Sequence, residues 1–208
     1  MATQSVPERR LTADEYVAFE LASDQRHEFD DGRVYAMSGA SKAHNTIALN
    51  IGVGLRAAAR GSSCRVYVEG VRLALPSGSH YYPDVMVTCD PTDDPLVERT
   101  PCVVVEVLSP ATRRLDVGRK LPRYQATPSI QAIYVVSQDA RIVEVRRRHS
   151  PGEPAFVVDY VIGQGALTFP CPGLPNGPVT MSLDEVYEGT EPPPGAELAV
   201  SDLDPPAR

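Results

Sequence analysis

The chain has 208 residues, 42% of them hydrophobic, and a formal charge of −7 at pH 7. That length and apolar content suffice for one well-packed core and favour a single domain with short appendages over several domains. No apolar run approaches the ~20 residues of a membrane span, and Met1 to Arg10 lack the apolar centre of a signal peptide, so a cytoplasmic protein without membrane contact is expected.

The charge is unevenly spread. From Asp184 onward the acids Asp184, Glu185, Glu188, Glu191, Glu197, Asp202 and Asp204 face a single base, Arg208, so the body of the chain is nearly neutral. Within that body Arg141, Arg146, Arg147 and Arg148 cluster beside His149. A solvated strand end is the expected reading, and a local positive face the alternative. The four cysteines, Cys64, Cys89, Cys102 and Cys171, show no paired short spacing, which argues against a zinc site and against a secreted disulfide framework. They read as ordinary buried thiols.

In chain order, Thr12 with Glu15 three residues on forms a capping box and predicts a helix ending near Ser23. Asp31-Gly32, between Arg26–Asp30 and Arg33–Met37, predicts a β-hairpin, because both residues accept positive φ. After the loop Ser38-Gly39-Ala40, the segment from Ser41 to Arg60 places His44, Ala48, Ile51, Leu55 and Ala58 on one helical stripe facing a sheet, with Gly61 as the stop. Strands are predicted over Arg65 to Leu75, Tyr81 to Thr88 and Val103 to Leu108, the last two separated by the acidic loop Asp90 to Pro101. Asp116 to Gln125 predicts a helix that must tolerate Pro122, with Asp116 as its N-cap. Ile130 to Val136, Arg141 to Arg148 and Phe156 to Ile162 return to strand, and Ser182 to Tyr187 is a short closing helix. This order describes an α/β or α+β domain over residues 11–189, a mixed sheet flanked by helices, between a flexible start at 1–10 and a disordered acidic tail at 190–208.

Two carboxylates carry the functional argument. Glu106 is embedded in the apolar run Cys102 to Leu108, and a buried acid must be paired, hydrogen-bonded or bound to a cation. Asp84 stands near the start of the other apolar strand, in Tyr82-Pro83-Asp84-Val85-Met86-Val87. Two strands that each offer an oxygen-only ligand point to a hard-metal site.

Taken in order, Pro83-Asp84, Glu106-Val107-Leu108-Ser109-Pro110, Asp116, Lys120 and Tyr124, with the Arg26–Met37 hairpin, His44 and the closing Ser182 to Tyr187, resemble the Uma2 family. That family belongs to the PD-(D/E)XK nuclease superfamily, with its restriction-endonuclease-like fold. The resemblance implies an endonuclease acting on nucleic acid, DNA foremost, in which Asp84 and Glu106 bind Mg²⁺ or Mn²⁺. The superfamily pattern puts a lysine two residues after the second acid, where this chain has Leu108; the resemblance points instead to Lys120 on the following helix, whose long stem can bring the ammonium to the same place.

Duller readings stand beside these. Asp84 could cap a turn, Glu106 could pair structurally with Lys120 or an arginine, and Lys120 could cover apolar surface with its stem. His44 could be a core-facing histidine or a phosphate or water contact, Glu28 an extra acid of the site or a cross-strand partner of an arginine, and Tyr124 a packing residue or a phosphate contact. Two functions follow: a metal-dependent endonuclease, for which a homodimer would supply two sites, or a catalytically degenerate module of the same fold that binds nucleic acid or a protein partner.

Overall fold

The computed structural model describes residues 6–37, 39–108, 113–150 and 153–190, with 113–116 described by backbone alone. Ser109-Pro110, residues 1–5 and the acidic tail beyond residue 190 lie outside the described residues.

Local sequence signals account for the first half of the chain. Helix α1 (Ala13–Ala22) starts from the Thr12–Glu15 capping box and is capped by Ser23. Strands β1 (His27–Asp30) and β2 (Arg33–Ala36) pair across Asp31-Gly32, whose φ values of 48° and 79° are those of a two-residue hairpin turn. Helix α2 (Lys42–Ala58) is capped by Ser41 and buries Ile47, Ala48, Ile51, Gly52 and Leu55.

From here the strands alternate between two sheets. Strands β3 (Arg65–Val68) and β6 (Val85–Thr88) belong to a six-stranded sheet, whereas β4 (Arg72–Ala74) and β5 (His80–Tyr81) join β1, β2 and β7 (Val97–Glu98) in a five-stranded one. The two long strands expected from the sequence are therefore each broken. Glu69-Gly70, at φ 47° and 81°, divides the first, and Pro83-Asp84 divides the second, since proline has no N–H for a ladder. The breaks lie side by side, for the Glu69 N–H donates to the Asp84 carbonyl at 2.9 Å. Strand β7 likewise falls inside the loop expected from Asp90 to Pro101.

The six-stranded sheet runs β11-β10-β9-β8-β6-β3, with β8 (Pro101–Leu108) and β9 (Ala132–Ser137) parallel and joined through α3 (Arg113–Gln125). Strands β10 (Ile142–Arg148) and β11 (Phe156–Ile162) continue it antiparallel. Because α3 begins at Arg113, Asp116 lies within its first turn and does not precede it as a cap. The hairpin β12 (Ala166–Phe169) and β13 (Val179–Ser182) was not expected; it precedes the capped turn α4 (Leu183–Val186).

All of β8 is buried, and period-two alternation splits it between two cores. Val103, Val105 and Val107 join Ile47, Ile51 and Leu55 of α2 on one side; Val104 and Leu108 join Leu121 and Tyr124 of α3 on the other. Glu106 falls on the α3 side. Among the described residues no helix is long and apolar enough to cross a membrane.

Two expectations of the sequence resolve here. The arginine cluster forms no free positive face: Arg141 pairs with Asp184, Arg146 with Glu144 and Arg147 with Asp159, while Arg148 donates to the carbonyls of Gln125, Thr127 and Ile130. The cysteines are not four ordinary thiols. Cys64 and Cys89 are joined in a disulfide, because the adjacent antiparallel strands β3 and β6 bring them face to face, and only Cys102 and Cys171 are free.

Helix α2 lies close over β3 at Gly52, where an added Cβ would stand 2.3 Å from Val68 Cγ2. Glycine to alanine within a helix ordinarily stabilises by about 1 kcal/mol. Here the sign reverses: Gly52→Ala should destabilise by ~1–3 kcal/mol, the cost of overpacking, as read by urea denaturation. A stabilised variant would contradict this close approach.

His80 supplies a second prediction. It is 8% exposed, packs against the Tyr16 ring at 5.0 Å, and its Nδ1 has no hydrogen-bond partner among the described residues. Burial first, then the charges of Arg72 and Arg99, pull its pKa from 6.5 down to about 4. The unfolded chain therefore binds a proton that the folded one refuses between those values. Stability is complete above pH 6.5 and is lost as pH falls toward about 4, by an amount on the order of 3 kcal/mol. His80→Phe should flatten the fall in melting temperature across that window, and parallel curves for the two proteins would refute the assignment.

Candidate active site

The broken strands bring functional groups to the junction of the two sheets. Asp84 sits in the break before β6, one step beyond the Val85–Val105 pair and so alongside Glu106. Its Oδ2 accepts the Val107 N–H at 2.6 Å, and its Oδ1 lies 3.0 Å from His44 Nε2. His44 is fixed in the first turn of α2 because its N–H donates to the Ser41 hydroxyl. Glu69, held beside Asp84 by the backbone bond between the two breaks, completes a trio whose ligand atoms all lie within 4.8 Å of one another.

Burial draws the His44 pKa down, but the Asp84 hydrogen bond and the negative charges of Asp84 and Glu69 outweigh it, leaving the imidazole above its ordinary value. The pair with Asp84 thus has its strongest ionic character below the normal histidine pKa and loses it as pH rises through the raised one.

On the α3 side a second cluster forms. Lys120 Nζ lies 2.6 Å from Glu28 Oε1 and 3.4 Å from Glu106 Oε2, and all three residues are buried. Tyr124, one turn further along α3, donates its hydroxyl to Glu106 Oε1 at 2.6 Å. Its pKa is driven well above the usual tyrosine value by burial first and then by the Glu106 and Glu28 charges, so the hydroxyl remains a donor. Glu28 also meets Arg119 Nη2 at 3.3 Å, and Arg119 lies over the Tyr35 ring at 3.8 Å. Two residues on, Asp30 meets Arg123 at 3.2 Å. The acids of β1 at i and i+2 are therefore matched by the bases of α3.

The structure gathers Glu106, Lys120, Tyr124 and Glu28 in one cluster, and Asp84 with His44 in the other. The peptide between Glu106 and Val107 links them, since the Asp84 carboxylate is bonded to its N–H. Glu69 was not among the residues the sequence singled out. Two carboxylates and an imidazole around one point form a group that could hold a metal ion.

A mixed α+β domain with carboxylates at a sheet junction, facing a lysine-bearing helix, has the architecture of a restriction-endonuclease-like fold. The chain belongs to the Uma2 family, whose description is "Putative restriction endonuclease", and the match spans residues 13–177. A solved structure described as "a putative nuclease belonging to DUF820" from Anabaena variabilis superposes with a TM-score of 0.68, covering 85% of this chain and 97% of the other at 14% identity, which is a likeness of fold. Two Synechocystis proteins, slr1290 and sll1609, are both described as uncharacterized. The first is 32% identical over 72% of this chain and 80% of its own length, and the second 29% identical over 75% and 90%.

Proposed function

We propose that this chain is a metal-dependent endonuclease that hydrolyses phosphodiester bonds of DNA, with Asp84 and Glu106 as the carboxylates of the Mg²⁺ or Mn²⁺ site and Lys120 as the cation that meets the phosphate. The observation that carries the reading is the Asp84 carboxylate, gripped by the Val107 N–H beside Glu106 and faced by His44 and Glu69. A bound divalent ion would supply Lewis-acid charge and a more acidic water.

The chain's own residues have distinct tasks. Asp84, with Glu69 at its side, provides the negative charge that attracts a cation to the junction. His44, 3.0 Å from Asp84 Oδ1 through Nε2, holds that carboxylate in position. Tyr124 holds the Glu106 carboxylate in one orientation, and Lys120 keeps positive charge where a phosphate oxygen would gain it. A homodimer would present two such sites to the two strands of a duplex.

Two features favour the second reading, a degenerate module that binds without cutting: Leu108 stands where the superfamily has its lysine, and Lys120 lies nearer to Glu28 than to Glu106. Incubating the purified protein with supercoiled plasmid separates the two. The nuclease should nick it with Mg²⁺ or Mn²⁺ and stop when EDTA is added. Binding that weakens steeply with salt, ignores the chelator and brings no cleavage would instead establish the module.

A further inference from the structure

The four cysteines, remote from one another in sequence, converge at the end of the six-stranded sheet away from the active site. Cys64 immediately precedes β3, Cys89 immediately follows β6, Cys102 is the second residue of β8, and Cys171 lies two residues beyond β12. Strands β3, β6 and β8 are consecutive neighbours, which brings the first three together, and the loop after β12 delivers the fourth.

Their sulfurs form a chain of successive contacts. Cys64 is bonded to Cys89; Cys89 Sγ lies 4.0 Å from Cys102 Sγ, and Cys102 Sγ lies 3.1 Å from Cys171 Sγ. Cys64, Cys102 and Cys171 are buried, whereas Cys89 is only partly so and is the point at which a reagent can enter. The loop that carries Cys171 presses onto the disulfide at Gly173, where an added Cβ would stand 2.8 Å from Cys89 Cβ and 2.9 Å from Cys64 Sγ. That approach admits no larger residue without displacement, so the loop and the inner thiols are held against the bond.

We propose that Cys64, Cys89, Cys102 and Cys171 form a thiol–disulfide exchange site along which one disulfide migrates from the Cys64–Cys89 pair to the Cys102–Cys171 pair. In the first step the Cys102 thiolate attacks Cys89 Sγ; the Cys89–Cys102 bond forms, the Cys64–Cys89 bond breaks, and Cys64 leaves as a thiolate that takes up the proton Cys102 gave. In the second the Cys171 thiolate attacks Cys102 Sγ, releasing Cys89 in the same way. No electrons enter or leave, so no external oxidant is needed. Before migration the cross-link joins β3 to β6. Afterwards it joins β8 to the segment carrying β12 and β13, so the position of the bond decides which part of the fold is tied down. The hydrogen bond with Cys102 and burial raise the Cys171 pKa well above the usual thiol value, which lowers its thiolate fraction and makes the second step slower than the first.

Two variants of the full chain test this. Cys171→Ser should stop migration after the first step, and Cys64→Ser should leave Cys89 free to join the inner thiols. Each is equilibrated with a mixture of reduced and oxidised glutathione, quenched in acid, alkylated and mapped by mass spectrometry, with a cooperative thermal transition confirming the fold. The proposal expects a Cys89–Cys102 cross-link in Cys171→Ser, and Cys102 linked to Cys89 or Cys171 in Cys64→Ser. Wild-type protein treated alike provides a third readout, in which the molecules that carry a single disulfide by intact mass are expected to divide between Cys64–Cys89 and Cys102–Cys171. Recovery of Cys102 solely as free thiol in all three proteins overturns the proposal.

Discussion

Asp84→Asn is expected to reduce metal-dependent DNA cleavage by about 10³-fold or more, the scale of losing several kcal/mol of charge stabilisation at the reacting phosphate. Asparagine keeps an oxygen that can accept the Val107 N–H, so the fold should change in stability by no more than ~1 kcal/mol. Asp84→Ala removes that acceptor too and leaves the amide unsatisfied, which should add ~1–3 kcal/mol of destabilisation to the same loss of cleavage. The His44 imidazole gives a third signal, because the carboxylate that raises its pKa is gone: an NMR titration of Asp84→Asn should show the His44 pKa lower than in wild type. Cleavage retained by Asp84→Asn would remove this carboxylate from the mechanism. An unmoved His44 titration would break the link between Asp84 and the helix.

What was legible in the sequence was what local chemistry determines. The Thr12–Glu15 box and the Asp31-Gly32 turn each specify a structure within a few residues, and both stand where they were read, as does the short closing helix within Ser182 to Tyr187. Glu106 was legible because the six apolar neighbours of the run Cys102 to Leu108 left its carboxylate no solvent, Lys120 was pointed to by the family resemblance, and Tyr124 followed because a spacing of four puts it on the same helix face as Lys120. Other features depend on contacts that no local window contains. Gly70 could have signalled the break, but nothing local marked Glu69, which adopts a positive φ without being glycine and whose place beside Asp84 comes from a backbone bond between two interrupted strands. Strands β12 and β13 are short and flank the proline- and glycine-rich stretch from Pro170 to Pro178, so no periodicity marked them. Cysteine spacing reports sites built within one loop or turn; this cluster is built across neighbouring strands, where spacing says nothing.

Lys120 is the residue at which stability and chemistry must be separated. Its ammonium lies between the buried carboxylates of Glu28 and Glu106, with Arg119 adding charge on the Glu28 side. Lys120→Met keeps the stem and deletes the charge, leaving two acids to face each other in a poorly solvated space. Breaking a buried pair in this way costs ~3–5 kcal/mol, which for a chain of this size lowers the melting temperature by roughly 6–20 °C. Adding Glu28→Gln removes the acid nearest to Lys120 and should restore most of the lost stability, while Tyr124 still donates to Glu106. The double variant therefore isolates the chemistry. A lysine that meets the phosphate leaves it folded but with cleavage reduced by ~10²–10³-fold, the scale of losing one charge-stabilising donor. A well-folded double variant that cuts DNA like the wild type would make Lys120 a structural counter-ion and nothing more.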